Sequence, residues 1–148
     1  MVGTWSWYLF YWLTAKYKHL SPYLRFKLMF YAENAADSTW QSKFFSFHLE
    51  NIPSSDYDIW LLDSSTNDAH KSPRLIKESL ESLIRQIFYK HSSPTIVLIE
   101  QYPFPNFESR DMVDPNSNYT EVYEQLASHY QLLLWSVRDV YWTHHSHH

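Results

Sequence analysis

A single glycine, Gly3, in 148 residues is the tightest constraint on what this chain can fold into. At an average usage of roughly 7%, a chain of this length would carry about ten. Glycine alone takes positive φ without a steric penalty and lets backbones and ligands approach closely. Tight turns here must therefore be built from Asn, Asp and Ser, or not built at all. The run Asp56 to Asp68 (Asp-Tyr-Asp-Ile-Trp-Leu-Leu-Asp-Ser-Ser-Thr-Asn-Asp) shows such a substitution. It reads as a buried strand that stops in a Ser-Thr-Asn-Asp turn, and an open α/β sheet places its ligand-binding polar groups just past the carboxyl ends of parallel strands. Asn67 is thus the first candidate site residue.

The remaining segments supply an order of elements. Trp5 to His19 reads as a helix that is apolar around much of its circumference, followed by Pro22, a helix stop. Its apolar run of about a dozen residues falls short of the roughly 20 that a membrane span needs, and it lacks the basic start of a signal peptide. That favours a core helix over a membrane-directed one. Arg25 to Tyr31 alternates as a strand. Ser38 is placed to cap a helix running to about Asn51. Ile59 to Leu62 has the continuous apolar character of a strand covered on both faces. Pro73 opens a helix whose stripe is Ile76, Leu80, Leu83, Ile84 and Ile87, with Lys77, Glu78, Glu81 and Arg85 facing water. Thr95 to Glu100 is a β-branched strand, and Gln101 to Asn118 is a proline-containing loop. A stripe of Tyr119, Val122, Tyr123, Leu126, Ala127 and Tyr130 marks the next helix, and Leu132 to Val137 the last strand. Alternating helices and strands mean βα crossovers, hence a parallel sheet in an α/β fold, as one domain over 1–142 with a His-rich tail at 143–148.

Composition removes several function classes. Hydrophobic residues at 45% and aromatics at 19% suit a packed protein rather than a disordered one. The absence of Cys excludes disulfides, thiolate metal sites and a Cys nucleophile. Twelve Lys and Arg against sixteen Asp and Glu, with no basic stripe, argue against a nucleic-acid partner. Nothing in the pattern asks for a cofactor. His144, His145, His147 and His148 read as a loose tail rather than an ordered metal site. Asn118-Tyr119-Thr120 fits the N-glycosylation pattern, which matters only in a secreted chain. The compartment stays open.

Several blocks together resemble the SGNH (GDSL-like) hydrolase superfamily, in its acyl-esterase-like branch. Asn34-Ala35-Ala36-Asp37-Ser38-Thr39 is similar to that family's second block and Ser65-Thr66-Asn67-Asp68 to its Gly-x-Asn-Asp block. Thr95 to Tyr102 is similar to the strand and Glu-x-Tyr turn that follow. Leu126-Ala127-Ser128-His129-Tyr130 and Trp135-Ser136-Val137-Arg138-Asp139 look like its closing stretch. The order holds over about residues 5–142.

The resemblance implies a three-layer α/β/α, flavodoxin-like sheet and hydrolysis or transfer of a carbohydrate or lipid acyl ester by a Ser, a His and an Asp. It also implies an oxyanion pocket formed by the Ser amide, a block-two Gly amide and the block-three Asn, here Asn67. This chain departs from that pattern at three places. The block-two Gly falls at Asp37 or its neighbour, where a negative charge opposes a developing anion. No Gly-x-Ser strand turn precedes the first helix, and Ser6 follows no strand. The closing Asp-x-x-His is replaced by Asp139 with His145 (or His144) at a longer spacing. Three functions are therefore expected. The chain is an esterase layer whose first strand and nucleophile lie outside these residues, a non-catalytic carbohydrate- or protein-binding relative, or a membrane-surface module using the aromatic first helix. A missing central strand would leave unpaired strand edges, and three outcomes are then expected: direct pairing of the Arg25–Tyr31 and Ile59–Leu62 strands, a gap, or self-association in which another chain fills it.

Overall fold

A computed structural model describes residues 4–17, 36–49, 58–68, 71–101 and 118–136. The chain forms two compact units, Met1–Glu33 and Asn34–His148. The first contains helix α1 (Thr4–Tyr17). The second contains α2 (Ser38–Leu49), β1 (Ile59–Asp63), the one-turn helix α3 (Ser65–Asp68), α4 (Pro73–Lys90), β2 (Thr95–Glu100), α5 (Asn118–Tyr130) and β3 (Leu133–Ser136). The expected strand at Arg25–Tyr31 and most of the loop after Gln101 lie outside the described residues, as do Asp139, His144 and His145.

The three strands pair in the order β1-β2-β3, all parallel, which makes the second unit an α/β fold. Leu62, Leu98 and Leu134 stand in register across the sheet. Because side chains alternate along a strand, that row and the row of Trp60 and Ile96 share one face. This face forms the core with α4 and α5: Trp60, Leu62, Ile96 and Leu98 cluster with Ile76, Leu80, Leu83, Ile84 and Ile87 from α4 and Val122, Tyr123 and Leu126 from α5. The α4 stripe read from the sequence is the buried one, each member at most 1% exposed. Phe45 joins from α2, its ring edge-on to Trp60 at 5.4 Å.

The opposite face corrects one expectation. Ile59 is 57% exposed and Leu133 60%, so β1 is not covered on both faces. Leu61 and Val97 are half-buried, and Ile99 alone on that face is fully buried. The apolar character of Ile59 to Leu62 thus marks a sheet whose second side is only partly covered. Among the described residues β1 pairs on one side only, with β2.

Turns without glycine are handled locally. Leu132 N–H donates to Ala127 O at 2.8 Å and Gln131 N–H to Ser128 O at 3.4 Å, the double closure of a Schellman C-terminus on α5. The position that closure requires in the left-handed region is Gln131, at φ 54. At the other end of the helical layer, Ser72 caps α4, its side chain accepting from Leu75 N–H, with Pro73 behind it.

Candidate functional site

Among the described residues the strand tips carry a connected polar cluster. After β1 the chain closes one helical turn, with the N–H groups of Asn67 and Asp68 both donating to Ser64 O at 3.0 Å. Asp68 ends this turn fully buried. Its Oδ1 accepts from Ser38 N–H at 3.0 Å and Ser38 Oγ at 2.9 Å, and its Oδ2 accepts from Ser64 Oγ at 3.0 Å. Ser64 Oγ also lies 2.9 Å from Tyr123 OH, which brings α5 into the same knot. Burial pushes the Asp68 carboxyl up, against the opposing pull of the Ser38 and Ser64 donors and the charge of Lys71. Burial likewise pushes the Tyr123 phenol well up, and Asp68 adds to it. The buried carboxylate thereby stitches the 36–39 loop to the 64–68 turn.

Asn67 stands at the outside of that stitch. It is exposed, and its Nδ2 donates to Ala36 O at 3.0 Å. A side-chain amide carries two N–H donors, and Ala36 takes one, which fixes the plane of the group. Since the cap of α4 is Ser72, Asn67 does not serve as that helix's cap.

Asp37 corrects two readings. It, and not Ser38, caps α2, accepting from Trp40 N–H at 2.8 Å. Its charge also does not stand alone, because Lys71 Nζ lies 2.6 Å from its Oδ2 and donates to Thr39 Oγ1 at 2.8 Å. Burial would raise the Asp37 carboxyl, but the hydrogen bond from Lys71, the Trp40 N–H and the Lys71 charge outweigh it and hold the group below the usual carboxylate range. The negative charge expected to oppose an anion beside Asn67 is thus largely neutralised.

The second wall of the strand tips comes from β2. Ser65 Oγ accepts from Gln101 N–H at 2.7 Å, and Gln101 Nε2 donates to the Asp63 carboxylate. Asp63 O accepts from Gln41 Nε2 at 3.1 Å. Asp63 therefore orients Gln101 rather than Asn67. Deeper in, Glu100 is fully buried and accepts from Thr120 Oγ1 at 2.5 Å. Sequence reading missed Asp68, Ser64, Lys71 and Gln101. The signal for Asp68 was its place beside Asn67 in a strand-end turn; the others have polar side chains of a kind that usually face water.

The site thus brings the two family-like blocks together and supplies an oriented amide, a neutralised carboxylate and a glutamine. Among the described residues it supplies no Ser nucleophile paired with a base. Ser6 lies within α1, and Ser64 and Ser65 are buried and hydrogen-bonded. No group of three or more metal-ligating side chains converges among the described residues. A shallow groove on the helix layer, lined by Lys77, Glu81, Glu124 and Ser128, shares no residue with the strand-tip cluster. Compared with known proteins, the chain matches no family model, no curated sequence and no solved structure.

Proposed function

We propose that this chain is an SGNH-type, esterase-like layer that presents Asn67 to the carbonyl of a carbohydrate or lipid acyl ester. The single observation that carries the reading is the Asn67–Ala36 hydrogen bond, which joins the second-block loop to the third-block turn at the tip of a parallel strand. An amide held in plane by one N–H aims its other N–H in a fixed direction, as a donor to a developing oxyanion must be aimed. Lys71 supports the same reading by cancelling the charge of Asp37. A three-layer, flavodoxin-like arrangement fits as well. The half-open apolar face (Ile59, Leu61, Val97, Leu133) suits a second helical layer, and the side of β1 that no described strand pairs suits a further strand.

Ser64 and Ser65, on the strand-to-helix turn after β1, are buried and hydrogen-bonded to Asp68 and Gln101, so among the described residues the site polarises and binds such a group with no serine placed to attack it. The chain is then a non-catalytic binding module on a hydrolase scaffold. Two measurements test this. Titration with an acetylated oligosaccharide, followed by amide NMR, shifts the Asn67 side-chain pair and the Thr66 to Asp68 backbone, and Asn67→Ala abolishes the response. Hydrolysis of p-nitrophenyl acetate stays at the buffer rate. A rate above buffer that falls with Asn67→Ala would instead establish an active esterase, and absence of any shift in the first experiment would end the site assignment.

A further inference from the structure

The charge totals hide a division of the chain. Lys16, Lys18, Arg25 and Lys27 all precede the first acidic residue, Glu33, and every other Asp and Glu falls in the second unit. The first unit is therefore basic although the chain as a whole carries −4. Its helix α1 is sided in an unusual sense. Leu9, Phe10, Leu13 and Tyr17 are half-buried, whereas Tyr8, Tyr11 and Trp12 are 74%, 63% and 51% exposed. At 100° per residue these three, with Ala15 and Lys16, occupy one arc of the helix. The exposed side thus consists of large rings that each carry a polar tip, with a cation at its end. Lys16 Nζ sits 4.5 Å from the centroid of the Trp12 ring, so charge and ring form one amphipathic unit.

We infer that α1 docks in the plane of an anionic lipid surface, its Tyr8–Tyr11–Trp12 face at headgroup depth and the basic residues of its unit against the lipid charge. Tyr and Trp are the residues that settle at membrane–water interfaces, where ring and polar tip are both accommodated. A helix of 14 residues is about 21 Å long, which suits lying in that layer. No helix among the described residues is long and apolar enough to cross a membrane. Basic residues without neighbouring acids are drawn to anionic lipid within about a Debye length of its surface. The inference is independent of the ester-binding reading.

Flotation of the full chain with phosphatidylcholine vesicles, with and without phosphatidylserine, tests it. The bound fraction is expected to rise about tenfold with phosphatidylserine and to fall back in high salt. A variant carrying Tyr8→Ser, Tyr11→Ser and Trp12→Ser loses about tenfold of that binding. Lys16→Glu, which keeps a good helix former, reduces it several-fold without touching the rings. Circular dichroism verifies that both variants stay folded. Equal flotation with neutral and anionic vesicles, no flotation with either, or a folded triple variant that floats like the parent chain would each overturn the inference.

Discussion

Gln131 occupies the position a helix end usually gives to glycine, and its φ of 54 places a Cβ in the left-handed region. That conformation costs a non-glycine residue roughly 1–2 kcal/mol, partly returned here by the two Schellman hydrogen bonds. Gln131→Gly therefore stabilises the second unit by about 0.5–1 kcal/mol, less than the full relief because glycine adds freedom to the unfolded chain. A urea midpoint that falls would refute this. Asp37 and Asp68 at the strand tips respond to pH in opposite directions. Asp37 is held low, so its stabilisation is present above its unfolded pKa and disappears as pH falls through its folded value. Asn caps a helix as well as Asp does, so the advantage of the parent chain over Asp37→Asn is that of the ion pair alone, about 0.5 kcal/mol at neutral pH, and it shrinks on acidification. Asp68 is held high by burial, so its ionised form weighs against folding above the unfolded pKa, and that weight is lifted as pH falls below its raised folded value. The parent chain accordingly gains on Asp68→Asn over the same acid titration. Denaturant midpoints at several pH values, parent against each variant, separate the two slopes. None of this was legible in the sequence. Asp37 and Ser38 are both good caps side by side, and only the Trp40 N–H geometry decides between them. Asp68 reads as a turn residue until the fold places Ser38, thirty positions away, against it.

At the level of elements, periodicity was informative wherever burial alone set it. The α4 stripe and β2 were readable because a one-sided helix repeats every 3.6 residues and a β-branched run of six has few alternatives. The one-turn helix α3 was not, since Ser-Thr-Asn-Asp has no period and its shape depends on bonds to Ser38 and Tyr123. The two faces of the sheet were misjudged for a related reason. Leu98 and Leu133 are both leucines on parallel strands, yet Leu98 is fully buried against α4 and α5 while Leu133 is 60% exposed. Truncation measures this difference. Leu98→Ala is expected to cost about 2–5 kcal/mol through lost contacts and a residual cavity, and Leu133→Ala less than about 0.5 kcal/mol. Comparable losses at the two positions would show that the second face is covered in solution.

For the whole molecule, the partly open face of the sheet and the side of β1 that no described strand pairs pose one question: what satisfies them. Parallel strands are ordinarily buried on both faces, and an unpaired edge offers backbone donors and acceptors to any strand that reaches it. Along β1 the exposed Ile59 lies at the corner where open face and free edge meet. If copies of the chain pair through this corner, sedimentation shows concentration-dependent association, and Ile59→Lys together with Leu133→Lys shifts it to monomer, because a charge on an edge or open face resists strand addition. Amide exchange reports on the same point from within. β2, hydrogen-bonded on both sides, exchanges slowest, while the outward amides of β1 exchange quickly in the monomer and become protected on association. A monomer at all concentrations with slow exchange along the whole of β1 would instead mean that the chain supplies its own covering strand. The lysine pair would then leave sedimentation unchanged.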